Sequence, residues 1–216
     1  MHQISLPQFA IERGRFMHPP QAFAPLKTAV LAIDFQCFFI DEGQPMGNPH
    51  ARDILPTANR IHAAVRNAGG RVVLIQHSRV PPTAAATSSP QAPTAVSSLE
   101  LIPGSSSYGI HPSIVRGAED LTVVKRQSSP LHTKAGTKLP EILHARGIET
   151  LIIAGLVTHG CCDCTASEAF QHGFNVVIAS DATAAVTDDE HNAALRNLEI
   201  YYARVMRADE LEAALG

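Results

Sequence analysis

Three residues of reactive type stand just behind runs of apolar, largely β-branched residues. Asp34 follows AVLAI at 29–33, Lys125 follows LTVV at 121–124, and Cys161 follows TLIIA at 150–154 across a short loop. A thiolate is a nucleophile, a carboxylate takes and returns protons, and an ammonium stabilises a thiolate or a developing oxyanion. Together these are the parts of covalent hydrolysis at an amide-like carbon. A free thiol titrates near 8.5, so at neutral pH it needs help. A helix N-terminus and a nearby ammonium both favour the thiolate, and Cys161 stands where a helix is expected to open. Backbone N–H groups of the loop at 156–161 are suited to hold an oxyanion, because that loop runs into a helix start.

Taken singly, each residue has a duller reading. An Asp at a strand end is often a turn former, a Lys there a solvated charge, and a Cys at a helix start a small buried apolar group. The case depends on all three occupying equivalent places. In open parallel α/β sheets the ligand crevice lies beyond the carboxyl ends of the strands, so three such residues converge if their strands are neighbours.

The elements that must position them follow from periodicity. Two further runs, RVVLI at 71–75 and NVVIA at 175–179, have the same continuous apolar character, which suits strands covered on both faces of a parallel sheet. A sixth strand is expected at 202–206. Helical spacing lies between, at 53–67, 137–145, 161–172, 188–198 and 208–215. The first groups Ile54, Ala58, Ile61 and Val65 on one face and stops at Gly69-Gly70; the fourth begins with acidic residues that suit a helix N-terminus. Strand and helix in alternation predict a doubly wound α/β sheet with right-handed crossovers. One domain over 1–216 is expected, with an N-terminal arm at 1–25. An irregular segment at 80–109 lies near the site. Its stretch 80–98, poor in charge and rich in Pro, Ala, Ser and Thr, reads as a surface loop, or as a lid or subunit-contact arm.

Totals exclude several classes. The chain has 216 residues, 17 of them basic and 20 acidic, with no basic stripe, so no nucleic-acid partner is expected. Apolar runs fall short of the roughly 20 residues of a membrane helix, so no membrane partner is expected either. The first residues lack an apolar signal core, which makes the cytoplasm the expected compartment. Of four cysteines, three crowd into Cys161, Cys162 and Cys164, which is no disulfide framework. With Cys37 they lack the paired knuckles of structural zinc. No metal and no cofactor are expected.

The segment 151–185, LIIAGLVTHGCCDCTASEAFQHGFNVVIASDATAA, resembles the signature of the isochorismatase-like cysteine hydrolases, which include nicotinamidases and N-carbamoylsarcosine amidohydrolases. The likeness rests on Gly155, Thr158, Cys161, Thr165-Ala166, Ala169, Gly173, the apolar run 176–178 and Asp181-Ala182. Asp34 and Gln36 in AVLAIDFQCFFID and Lys125 in VVKRQSSP extend it, over roughly residues 26–207. The resemblance implies a three-layer α/β/α fold on a Rossmann-like, six-stranded, mostly parallel sheet. It implies Asp34, Lys125 and Cys161 as catalytic residues, a cis peptide between Leu156 and Val157, and oxyanion donors at the N–H groups of Val157 and Cys161. It also implies a homo-oligomer, dimer or tetramer. Nicotinamidases hold a metal through an Asp-x-His pair and a further His after the first helix and strand; this chain has no Asp-x-His there, and Asp53 and His77 stand in unlike surroundings. Cys37 replaces an Asn common in the opening motif.

The resulting expectation is hydrolysis of a C–N bond in a small amide, carbamoyl or ureido compound through a thioester-type intermediate. The alternatives are vinyl ether hydrolysis of the isochorismatase type, and a retired scaffold that only binds. Substrate contacts are sought at Gln36, Phe39, His77, Tyr108 and His159, with His111 and His132 as further pocket candidates. The Phe38-Phe39 pair also reads as core. The glycines of 104–109 have phosphate-loop spacing but lack the Lys-Ser/Thr, which leaves them as a turn near the entrance.

Overall fold

A computed structural model describes residues 1–19, 22–79 and 101–216. Within these the chain runs through α1 (Gln8–Met17), β1 (Thr28–Ile33), α2 (Cys37–Ile40), α3 (Ala51–Asn67), β2 (Arg71–His77), β3 (Leu121–Lys125), α4 (Leu139–Ala145), β4 (Thr150–Leu156), α5 (Asp163–Gln171), β5 (Asn175–Ala184), α6 (Asp188–Tyr201), β6 (Arg204–Met206) and α7 (Ala208–Leu215). The strands form one sheet in the order β3-β2-β1-β4-β5-β6, every pair parallel. Helices cover both faces, giving the three-layer α/β/α fold.

Alternation along each strand builds two cores. Val30 and Ala32 of β1, with Val72, Leu74, Ile152 and Ala154, face Ile54, Ala58, Ile61 and Val65 of α3 and Leu211 of α7. Leu31 and Ile33, with Val73, Ile75, Leu151 and Ile153, face Leu139 and Leu143 of α4, Ala166 and Ala169 of α5, and Leu195 and Leu198 of α6. β1 and β4 are buried along their whole length, as central strands of a doubly covered sheet must be.

Chain order reverses between β1 and β4, and a crevice opens at such a switch point. Gly155 fits β4 against β1 there. Its φ is +130°, and a Cβ would lie 2.0 Å from the Ile33 carbonyl oxygen, so no other residue fits without moving backbone.

Several boundaries differ from expectation. β5 runs on to Ala184, five residues further, and β6 is shorter, because Tyr202 still bonds back to Leu198 at the end of α6. The N-terminal segment carries a helix, α1, whose buried Gly14 lies against Glu199 of α6. Its weak polarity pattern hid it. Residues 80–100 of the irregular segment lie outside the described residues; 101–109 form turns, and Ile110 bridges to Gln36. Among the described residues no helix is long and apolar enough to cross a membrane.

Candidate active site

Asp34, Lys125 and Cys161 meet at the switch point. Asp34 leaves β1 with φ +54°, a left-handed conformation that costs a non-glycine residue about 1 kcal/mol, and its N–H is held by the Ile75 carbonyl at 3.0 Å. Lys125 ends β3, pairs in register with His77 of β2, and is fully buried. Its ammonium lies 2.8 Å from Asp34 Oδ2, 3.2 Å from Cys161 Sγ and 3.2 Å from His77 Nδ1. An ammonium has three N–H donors, and here three acceptors surround it.

Cys161 lies in a wide turn, Thr158–Cys162, that precedes α5, not in the first turn of that helix. The peptide between Leu156 and Val157 is cis. The Val157 carbonyl accepts the N–H groups of Gly160 at 3.0 Å and Cys162 at 3.2 Å, and Thr165 Oγ1 donates to the Cys161 carbonyl. The turn is thereby tied at both ends.

These positions set the charges. Burial, and then the Asp34 carboxylate, push the Cys161 thiol up to about 12, against the pull of Lys125. The expected resting thiolate is therefore replaced by a thiol beside a carboxylate, because burial outweighs one ammonium. Burial works against the charge on Lys125 as well, but Asp34 and Cys161 outweigh it and its pKa is raised. Burial, then Lys125, lowers His77 to about 4, so its ring is neutral and Nδ1 accepts from the ammonium. An arrangement of thiol, carboxylate and fixed positive charge can move a proton from sulfur to oxygen as the sulfur bonds to carbon.

Comparisons with known proteins show the family and the fold. The model of the isochorismatase domain matches residues 28–210, most of the chain. This chain belongs to the isochorismatase family. An uncharacterized isochorismatase family protein, YecD of Escherichia coli O157:H7, is 30% identical over 87% of this chain and 96% of its own. Maleamate amidohydrolase of Pseudomonas putida is 26% identical over 86% of each chain. The crystal structure of a cysteine hydrolase from Pseudomonas syringae pv. phaseolicola superposes with a TM-score of 0.81 at 22% identity, covering 91% of this chain and 95% of that one, a likeness of fold.

Within this isochorismatase-family site, the residues sought as substrate contacts divide. His77 touches Lys125 and shapes the charge cluster itself. Tyr108 is half-buried; burial raises its pKa, opposed by a hydrogen bond with Ser78 and by Arg126, while its carbonyl accepts from Gln36 and Gln76. His159 is exposed, two residues before Cys161. Gln36 is a correction: it is fully buried, and its amide accepts the His77 N–H at 2.7 Å and donates to the His77 and Tyr108 carbonyls, which leaves no donor for a substrate. Phe39 is another, since it packs edge-on to Phe38 in the core. Sequence reasoning missed Thr158 as anything but a motif letter, and it missed His191, in a helix noted only for its acidic start.

The metal reading does not fit. Asp53 pairs with the terminal amino group of Met1 and lies 3.7 Å from His50, and among the described residues it shares no group of ligand-type atoms with His77. Asp34, His77 and Cys161 do bring ligand atoms within 4.8 Å of one another, but the Lys125 ammonium contacts all three. A cation placed among them would meet that ammonium.

Proposed function

We propose that this chain is a cysteine-dependent hydrolase of the C–N bond in a small amide, carbamoyl or ureido compound. The single observation that carries the reading is the Lys125 ammonium held between Asp34 and Cys161 in a buried crevice. The name of the maleamate amidohydrolase relative supports the amide class.

The chemistry follows from where the protons start. Cys161 Sγ bonds to the carbonyl carbon while its proton passes to Asp34, and Lys125 offsets the negative charge that develops. The N–H groups of Val157 and Cys161 hold the tetrahedral oxyanion. Asp34 returns the proton to the leaving nitrogen, ammonia or an amine departs, and a thioester remains on sulfur. Water then attacks the thioester, Asp34 accepting its proton, and the acid product and the thiol are released. No step needs a cofactor. The reading keeps the expectation of a cytoplasmic homo-oligomer, dimer or tetramer, acting on a small molecule.

A panel of amides beginning with maleamate, assayed by ammonia release, tests this, alongside mass spectrometry of Cys161 for an acyl adduct. Turnover by the wild type that survives unchanged in Cys161→Ala would reject it.

A further inference from the structure

His191 sits one turn into α6, fully buried, in a place where an imidazole usually serves only to fill space. Both of its nitrogens are committed. The Ser180 carbonyl lies 3.1 Å from Nε2 and can only accept, so the proton is on Nε2. Nδ1 is then bare, and it accepts the hydroxyl proton of Thr158 at 2.8 Å. Burial lowers this ring to about 4, which keeps it in that neutral tautomer. Thr158 is the first residue of the turn that carries Cys161, and its side chain is also fully buried. Behind His191, the ring of His2 stacks at 4.2 Å and 11°, and the Ala185 N–H donates to His2 Nε2.

We infer that His191 is a positioning residue: through Thr158 it fixes the turn 158–162 so that Cys161 Sγ stays against Lys125. The inference rests on the function proposed above. Besides the contact of Cys161 Sγ with Lys125 that is to be held, the turn is tied at the Val157 and Cys161 carbonyls, and both of those ties are local in sequence. Among the described residues, the His191 bond joins it through a side chain to α6 and, by way of Ser180, to β5. A turn held only by local bonds can shift as a unit, and a small misplacement of a reacting atom has a large kinetic effect. A shift away from Lys125 also removes the charge that opposes burial at the sulfur; one pKa unit is tenfold in thiolate.

The test uses the whole protein and iodoacetamide at pH 8, with Cys161, Cys162 and Cys164 resolved by mass spectrometry, so it does not depend on knowing the substrate. Thr158→Val keeps the shape and removes the donor; Thr158→Ser restores it. The expected result is Cys161 alkylation about tenfold slower in Thr158→Val, with Cys164 within twofold of wild type and Thr158→Ser within threefold. On any amide the wild type hydrolyses, kcat falls about tenfold while KM stays within twofold. Cys161 alkylation in Thr158→Val within twofold of wild type overturns the inference, as does a slowing that Thr158→Ser does not reverse. If Thr158→Val fails to fold, Thr158→Ala takes its place with the same serine reference. An active wild type with an unaffected Thr158→Val sinks the positioning role and spares the proposed function. A wild type inactive on every amide, with Cys161 still sensitive to Thr158, does the reverse.

Discussion

Among the described residues, two groups of side chains gather ligand-type atoms within 4.8 Å of one another: Asp34, His77 and Cys161 at the switch point, and His2, His50 and Asp188 beneath the N-terminus. Their chemistry differs because of what else each atom is bound to. In the first group every member faces the same ammonium, which is a charge and not a backbone group, so the proton on sulfur has a carboxylate to go to. In the second, His2 accepts the Ala185 N–H at Nε2 and therefore gives its own Nδ1 proton to Asp188 at 2.6 Å. His50 and His191 pack against the same ring. In the proposed function one cluster moves a proton, while the other ties down the first residues of the chain. Similar residue types thus diverge through the partners that burial gives them.

Substitutions at the first cluster should have the largest effects. Cys161→Ala should lower kcat about 10⁴-fold or more, since it removes the bond-forming atom. Asp34→Asn keeps the shape but cannot take the sulfur's proton, and a loss of about 10²–10⁴-fold is expected from steady-state rates. Lys125→Met leaves the Asp34 carboxylate buried beside no cation; a stability loss of about 3–5 kcal/mol should appear in urea unfolding. A Lys125→Met protein as stable as the wild type would mean that the ammonium is not what holds this cluster together.

Acid should act next, and in a defined window. His62 and His191 are fully buried, and burial lowers each to about 4. The unfolded chain binds protons at these rings from about pH 6.5 downward, while the folded chain resists until about pH 4. Stability is therefore full above 6.5 and is lost as pH falls toward 4, by up to about 3 kcal/mol for each ring. Urea unfolding at pH 7, 5.5 and 4.5 measures the slope, and His62→Gln should flatten it. A slope unchanged by that substitution would remove His62 from the account.

The sequence makes this contrast half legible. AVLAI, LTVV and TLIIA announce central strands because both faces of such strands are covered, and the residues after them inherit a common end of the sheet. Asp34, Lys125 and Cys161 were therefore readable as a set. Their protonation was not, since it depends on how deeply the sulfur is buried, and no spacing rule reports that. Gln36 stood in the opening motif two residues from Asp34 and was sought as a substrate contact; its amide instead pins the end of β2 at His77 and the turn at Tyr108. His2 and His191 are separated by most of the chain, and only the laying of the N-terminal segment over α6 stacks them. Contacts of that kind come from packing order, which local periodicity does not carry.

The smallest expected effect is a null one, and it bears directly on the second cluster. For His2 to bind zinc through Nδ1 as a neutral ligand, its proton would have to move to Nε2, where the Ala185 N–H already points at 3.1 Å. Two N–H groups would then face each other in a buried space. Zinc at a hundred times its dissociation constant would add about 2.7 kcal/mol to a protein that bound it, or roughly 5–10 °C in Tm for a chain of this size. The tautomer argument predicts less than about 1 °C, read by thermal unfolding with and without zinc, with Cys164 alkylated beforehand to silence its thiol. A rise of several degrees that His2→Ala abolishes would show that the backbone bond yields to the metal, and the two clusters would then differ in degree and not in kind.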